Sequence, residues 1–334
     1  MNMEKNETLT NTPPRLIVSF LAGFNAVANN IQLILFPVVL DLLLWFGPHL
    51  RLKQLAGPML DELNATLSQM ATPDMSELVQ AAKDTWTSTL EHFNLLSLLR
   101  TYPIGIPSLF ASIGPLNTPL GAAQIYELPN AAITFGIWCL VILVGIIGGS
   151  LYFNEVSRIT SLERAEVPLK RLIWQIVQSI FLGILLILIL MVILIPASIL
   201  VSILAMINPV LAQIAVLILS IIVLWLLIPL VFSPHGIFAY KQNAFSSVLL
   251  SVRMVRYFLP MTGLFLLFAL LISQGLDLLW LVPPETSWMA LIGILGHAFI
   301  TTGLLSASFV YYRGGMSWMQ QNIQRLTTTP AAKA

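Results

Sequence analysis

An all-α integral membrane bundle is the fold class that the sequence predicts, on three observations. Hydrophobic residues make up 57% of the 334-residue chain and charged residues only 9%, a balance outside that of ordinary soluble domains. Six stretches approach the ~20 apolar residues that a ~30 Å hydrocarbon core requires of a helix. Of the 16 Lys and Arg, twelve fall in tails and loops that lie on one side of those stretches, and that side is therefore predicted to be cytoplasmic, as are both termini.

Taken in order, residues 1–15 form a polar, proline-containing tail, read as disordered and cytoplasmic, with Lys5 and Arg15 and no signal-peptide cleavage pattern. Residues 16–30 are amphipathic and are read as an interfacial helix. Ile17, Phe20, Leu21, Phe24, Val27 and Ala28 share one face, and Ser19, Gly23, Asn29 and Asn30 share the other. The first span, 31–46, is the shortest and must borrow length from its neighbours.

Residues 51–130 make up a long extracytoplasmic segment that is more acidic than basic. Asp74 and Glu77 match a capping box, and Leu78, Ala82, Trp86, Leu90 and Phe93 recur at helical spacing, which predicts a helix over about 74–99 after a shorter one over 58–70. Pro and Gly then break regular structure from Tyr102 to Gly121. That run is apolar for a loop, with Ile104, Ile106, Leu109, Phe110 and Ile113, and two arrangements stay open. It is either packed under the two outer helices or re-entrant, resting in or over the membrane.

The remaining five spans, 131–153, 181–203, 210–232, 259–282 and 288–312, form the body of the bundle. Arg158, Arg164, Lys170 and Arg171 precede the third span; Lys241, Arg253 and Arg256 precede the fifth; Arg313, Arg325 and Lys333 lie in a cytoplasmic tail, 313–334. The amphipathic stretches 167–180 and 244–258 read as elbows in the headgroup plane, because one helix over 172–206 would be about 50 Å long, well beyond the bilayer core. Pro260 predicts a break before the fifth span, and Pro196 and Pro229 predict kinks in the third and fourth. Trp225 falls outside the aromatic belts and reads as a packing residue.

Ionisable groups within spans are functional candidates. Asp41, Asp277 and His297 each lie one to three turns from an outer span end and can share one layer, with Gln274 a turn from Asp277. These four are the candidate ligand or ion residues; the competing reading is interfacial capping and interhelical hydrogen bonding. Lys170, Arg171, Arg253 and Arg256 are candidate contacts to anionic lipid. No phosphate-binding loop, H-E-x-x-H or G-x-S-x-G motif is present, and Cys139 is the only cysteine, so no catalytic residue, metal or cofactor is predicted. A net charge of +1 without a basic patch argues against a nucleic-acid partner.

The run Phe232-Ser-Pro-His-Gly-Ile-Phe-Ala-Tyr240, followed by Ala244-Phe-Ser-Ser-Val-Leu-Leu-Ser-Val-Arg-Met-Val-Arg256, resembles the membrane domain fused to some glycerophosphodiester phosphodiesterases and related bacterial membrane families. Those share a segment of the form Ala-x-x-x-Ser-x-x-Leu-Val-Arg before a late span, which Ser251, Val252 and Arg253 approximate. The resemblance covers the last half of the chain. It implies a bundle with in-plane elbows in a bacterial inner membrane, and it carries over no catalytic residue, because the phosphodiesterase chemistry belongs to a separate soluble domain. The expected function is a non-enzymatic multi-pass protein that binds, transports or organises a small or lipid-like molecule. The alternatives are a permease-like subunit with an ATPase partner and an intramembrane lipid-modifying enzyme.

Overall fold

A computed structural model describes residues 15–70, 76–161 and 168–328, and helices dominate them. The first two helices, α1 (Leu16–Ala28) and α2 (Leu35–Phe46), flank a 3₁₀ turn at Ile31–Ile34 and meet at 90°. Asn30 makes the corner: its backbone leaves helical geometry at φ −140° and its side-chain amide donates to the Ala26 carbonyl at 2.7 Å. Pro37 falls in the first turn of α2, where a missing N–H leaves no bond unmade.

The buried face of α1 is Ser19, Gly23 and Val27, whereas Ile17 and Leu21 are exposed. A Cβ on Gly23 would lie 2.3 Å from the Ala307 nitrogen, and one on Gly303 would lie 2.4 Å from the Phe24 ring. Small residues at such crossings let membrane helices approach closely. The amphipathic reading of this stretch is corrected in part: Ser19 and Gly23 pack against the bundle together with Phe20, Phe24 and Val27, while Ile17, Leu21 and Ala28 face outward.

A cap follows. Strand β1 (His49–Arg51) pairs in parallel with β4 (Ile125–Glu127), tying the two ends of the cap together. Between them stand the hairpin of α3 (Lys53–Met70) and α4 (Ser76–His92), joined by a Lys53–Glu91 ion pair of 3.0 Å, and a two-residue pairing of β2 (Asn117–Thr118) with β3 (Gly121–Ala122). The helix expected to reach Leu99 stops at His92. Asn94 Oδ1 accepts from the Leu96 and Leu50 amides, each at 3.1 Å, and offers the backbone an alternative to the helical ladder. Asp74 of the expected capping box lies outside the described residues.

Seven helices complete the chain: α5 (Ala131–Ile159), α6 (Leu169–Ile207), α7 (Pro209–Leu227), α8 (Ser233–Tyr240), α9 (Ala244–Tyr257), α10 (Leu259–Trp280) and α11 (Ala290–Thr328). Five stretches among the described residues are long and apolar enough to cross a membrane, and α1 with α2 makes a sixth if the bent pair is one span. The molecule is a membrane-embedded, multi-pass helical bundle.

Three expectations are corrected here. The stretch 167–180 is not a separate elbow, because α6 runs unbroken for 39 residues; no Gly or Pro interrupts its first three turns, and Gln175, Ser179 and Leu182 hold them to the bundle. Trp225 is not a packing residue, since it stands 58% exposed on α7. Nor does the last helix end near Tyr312, because Arg313 donates to the Ser157 carbonyl and to the Ser157 and Thr160 hydroxyls at 2.7–2.8 Å and so ties α11 to the end of α5. By contrast, α9 does form a distinct helix that breaks at Phe258 just before Pro260, and at Pro229 α7 gives way to a 3₁₀ turn.

The core surrounds α8, which is buried from Ser233 to Phe238 and packs with Leu33, Ile104, Tyr152, Phe153 and Phe309. Beside it Phe20, Phe265 and Tyr311 stack at 4.8 and 4.5 Å between ring centres. The most apolar stretches of α6 and of α7 with α8 contain no buried residue.

Candidate functional site

The polar layer expected near the cap is built mainly by α10 and α11. Gly293 and Gly296 let α10 close on α11: a Cβ on Gly293 would lie 2.4 Å from the Trp280 carbonyl, and one on Gly296 would lie 2.7 Å from its ring. Beyond the two helices, Glu285 is held by the Trp45 indole at 2.9 Å on its carbonyl and by Asn117 at 3.0 Å on its carboxylate. This clamp sets His297 Nδ1 2.7 Å from Asp277 Oδ1. A carboxylate offers only lone pairs to a ring nitrogen, so Nδ1 carries the hydrogen. His297 Nε2 is buried without a partner, and so is the Trp280 indole nitrogen, which shares a face of α10 with Asp277. The His297 side chain is 4% exposed and that of Asp277 22%, so the pair is reached from one side only.

Asp41 belongs to the same layer but is occupied differently. Fully buried on α2, it accepts from the Ser108 hydroxyl at 2.5 Å and from the Leu109 and Phe110 amides at 3.1 and 3.0 Å. The carboxylate therefore caps the short turn at Phe110–Ser112 and staples the Pro/Gly loop to α2. His297 lies within electrostatic reach of it. The fourth candidate, Gln274, is exposed on α10 and is not gathered into the cluster.

The loop that Asp41 holds is not a surface cover. Cβ atoms on Gly145 and Gly149 would come within 2.7 Å of Leu99 O and of Gly105 Cα, so residues 99–105 lie directly on the glycine face of α5, and Ile104 is buried among Tyr152, Val156 and Phe309. The loop thus packs directly against α5 and beside α11.

At the far end of the bundle, Lys170, Arg253 and Arg256 are exposed and Arg171 is half-buried; none forms an ion pair among the described residues. Arg253 and Arg256 line a groove with Leu249, Val252 and Tyr257. Cations interleaved with outward apolar side chains suit a headgroup boundary.

One pairing escaped sequence reasoning. His235 meets Ser308 at 2.7 Å between Nε2 and Oγ. The Ser308 hydroxyl also lies 2.7 Å from the Leu305 carbonyl, so it links the imidazole to the α11 backbone. Phe232, Phe309 and Tyr312 enclose the ring. Buried and enclosed by aromatic rings, this dyad fastens α8 to α11. The only available signal was the run from Phe232 to Tyr240 that carries the family resemblance, which proves to be the buried centre of the fold.

In the cap, His49 is fully buried, and burial holds its imidazole below the ordinary histidine value, with the Gly47 and Pro115 carbonyls partly opposing the shift. No group of three His, Cys, Asp or Glu capable of holding a metal ion occurs among the described residues. No family model, curated protein or solved structure matches the chain.

Proposed function

We propose that this chain is a non-enzymatic multi-pass protein of a bacterial inner membrane that binds, transports or organises a small or lipid-like molecule, with both termini in the cytoplasm. One observation carries the reading: the almost enclosed Asp277–His297 pair leaves His297 Nε2 buried and unpartnered between two helices. Ionisable groups at membrane depth are expensive and are retained where they meet a ligand or ion. The exposed Lys170, Arg253 and Arg256, with Arg171, hold the cytoplasmic end to anionic lipid in this reading. The in-plane elbow implied by the phosphodiesterase-fused membrane domains is then α9 alone.

A second reading, a permease-like subunit of a larger complex, draws on the α6–α7 hairpin, whose most apolar stretches are unburied within the chain. Native mass spectrometry of the protein released from its own membrane separates the two. A retained small molecule that is lost in Asp277→Asn and His297→Ala supports binding, whereas a stoichiometric protein partner without a ligand supports the subunit. Unchanged ligand retention in both variants would remove the pair from the site.

A further inference from the structure

Arg100 is the one base of the long acidic segment that the fold carries in among the spans. It closes a 3₁₀ turn, Leu95–Leu99, and begins the loop seated on Gly145 and Gly149. At ~1.5 Å per residue those glycines lie about 21 and 27 Å along α5 from Ala131. On the opposite wall Thr301 and Leu305 lie about 17 and 22 Å along α11 from Ala290. The loop therefore faces the middle of both helices. There Arg100, Tyr102, Phe153, Thr301 and Leu305 line a cavity of about 200 Å³.

Within that cavity the guanidinium is under-used. It sits 5.6 Å from the centre of the Tyr102 ring and donates once, from one terminal nitrogen, to the Ser108 carbonyl at 3.2 Å. No carboxylate lies within ion-pair distance among the described residues. Asp41, the nearby acid by way of Ser108, already accepts from a hydroxyl and two amides. A guanidinium has five N–H donors in a planar fork that matches an oxyanion. Leaving it at the level of apolar spans without a counter-charge is costly.

Next to the cavity, sharing Ile106 as a common wall, runs a groove of about 380 Å³ lined by Phe36, Val39 and Leu43 of α2 and Val144 and Gly148 of α5, with almost no polar surface. Cation and apolar trough lie side by side.

We propose that this pair of cavities binds an anionic amphiphile, with its phosphate or carboxylate oxygens on Arg100 and its hydrocarbon in the α2–α5 groove. The proposal rests on the binding reading above and names the class of ligand. The oxyanion belongs either to a lipid headgroup or to a free anion, and the groove favours the lipid.

The full chain in detergent, incubated with phosphatidylglycerol, diacylglycerol or inorganic phosphate and read by native mass spectrometry, tests this. Wild type should retain phosphatidylglycerol about tenfold over diacylglycerol, which lacks the oxyanion, the worth of one charge-assisted contact, and Arg100→Gln should bring the two within about twofold. Arg100→Lys, which keeps the charge but not the fork, should fall between them and guards against a loop that merely misfolds. Val39→Trp, filling the groove, should lower lipid retention and leave any phosphate binding in place. Phosphate bound in an Arg100-dependent way without lipid selectivity would keep the oxyanion site and assign it to a free anion. Equal retention of both lipids by wild type, with no phosphate bound, overturns the proposal. So does phosphatidylglycerol retained by Arg100→Gln as by wild type, a result that leaves the Asp277–His297 reading standing, because that reading falls only with its own variants.

Discussion

Asp41 and Asp277 look alike in the sequence, each an acid near the end of an apolar run followed by leucines and a tryptophan. Their surroundings divide them. Three donors converge on Asp41, so Asp41→Asn turns an amide against N–H groups that need an acceptor and should destabilise the 108–112 turn by about 1–3 kcal/mol. Hydrogen exchange should show faster exchange at the Leu109 and Phe110 amides. Asp277→Asn should leave that turn protected and instead change ligand retention; equal loosening of the turn in both variants would refute the division. The sequence allowed the three ionisable groups to share one layer and could not tell a loop anchor from an open pair, because the difference lies in backbone amides sixty-eight and sixty-nine positions away from Asp41.

His49 carries a pH dependence that can be signed. Its folded form resists protonation, so the unfolded chain binds more protons below the ordinary value of ~6.5. The stability from keeping the neutral ring buried is complete above that value. It declines as pH falls through it towards the lower folded value. Thermal unfolding followed from pH 7.5 to 5 should show a slope that His49→Gln reduces; identical slopes would exclude His49 as its source.

At the scale of elements, hydropathy revealed the long helices because each is a continuous apolar run, but it could not reveal which face packs. In α1 the packing face is Ser19, Gly23 and Val27, chosen because small side chains admit α11 at van der Waals distance. Gly23→Val should push α1 off Ala307 and lower stability by about 1–3 kcal/mol, the usual range for overpacking, read as a lower melting temperature in detergent. Leu21→Val, on the exposed side, should leave it unchanged. A Gly23→Val variant as stable as wild type would show that α1 does not hold α11 in this way. The unbroken α6 carries a related lesson: an amphipathic beginning does not imply a bend when its first turns contain no Gly or Pro.

For the whole molecule, the alternation of basic and base-free loops predicts which end faces the cytoplasm. Cys139 is exposed and is the only cysteine, so a Cys139→Ser background accepts single reporters. Gln54→Cys in the cap should react with a membrane-impermeant maleimide on intact cells, and Leu169→Cys at the start of α6 only after permeabilisation. The opposite pattern would invert the topology, and with it the assignment of Lys170, Arg171, Arg253 and Arg256 to the inner leaflet.

The sequence by itself determined the membrane class, the presence of the long apolar helices, the break before Pro260 and the separate composition of the acidic cap. Those features follow from local composition and backbone chemistry, which are written in consecutive residues. Only the tertiary structure decided that the Pro/Gly loop packs against α5 and beside α11, that Asp277 meets His297 while Asp41 serves the loop, that His235 meets Ser308 in a closed core, and that Arg100 faces a cavity without a carboxylate. Each of these joins residues far apart in the chain through close contacts at glycines or through single hydrogen bonds, and neither hydropathy nor spacing carries a record of such contacts.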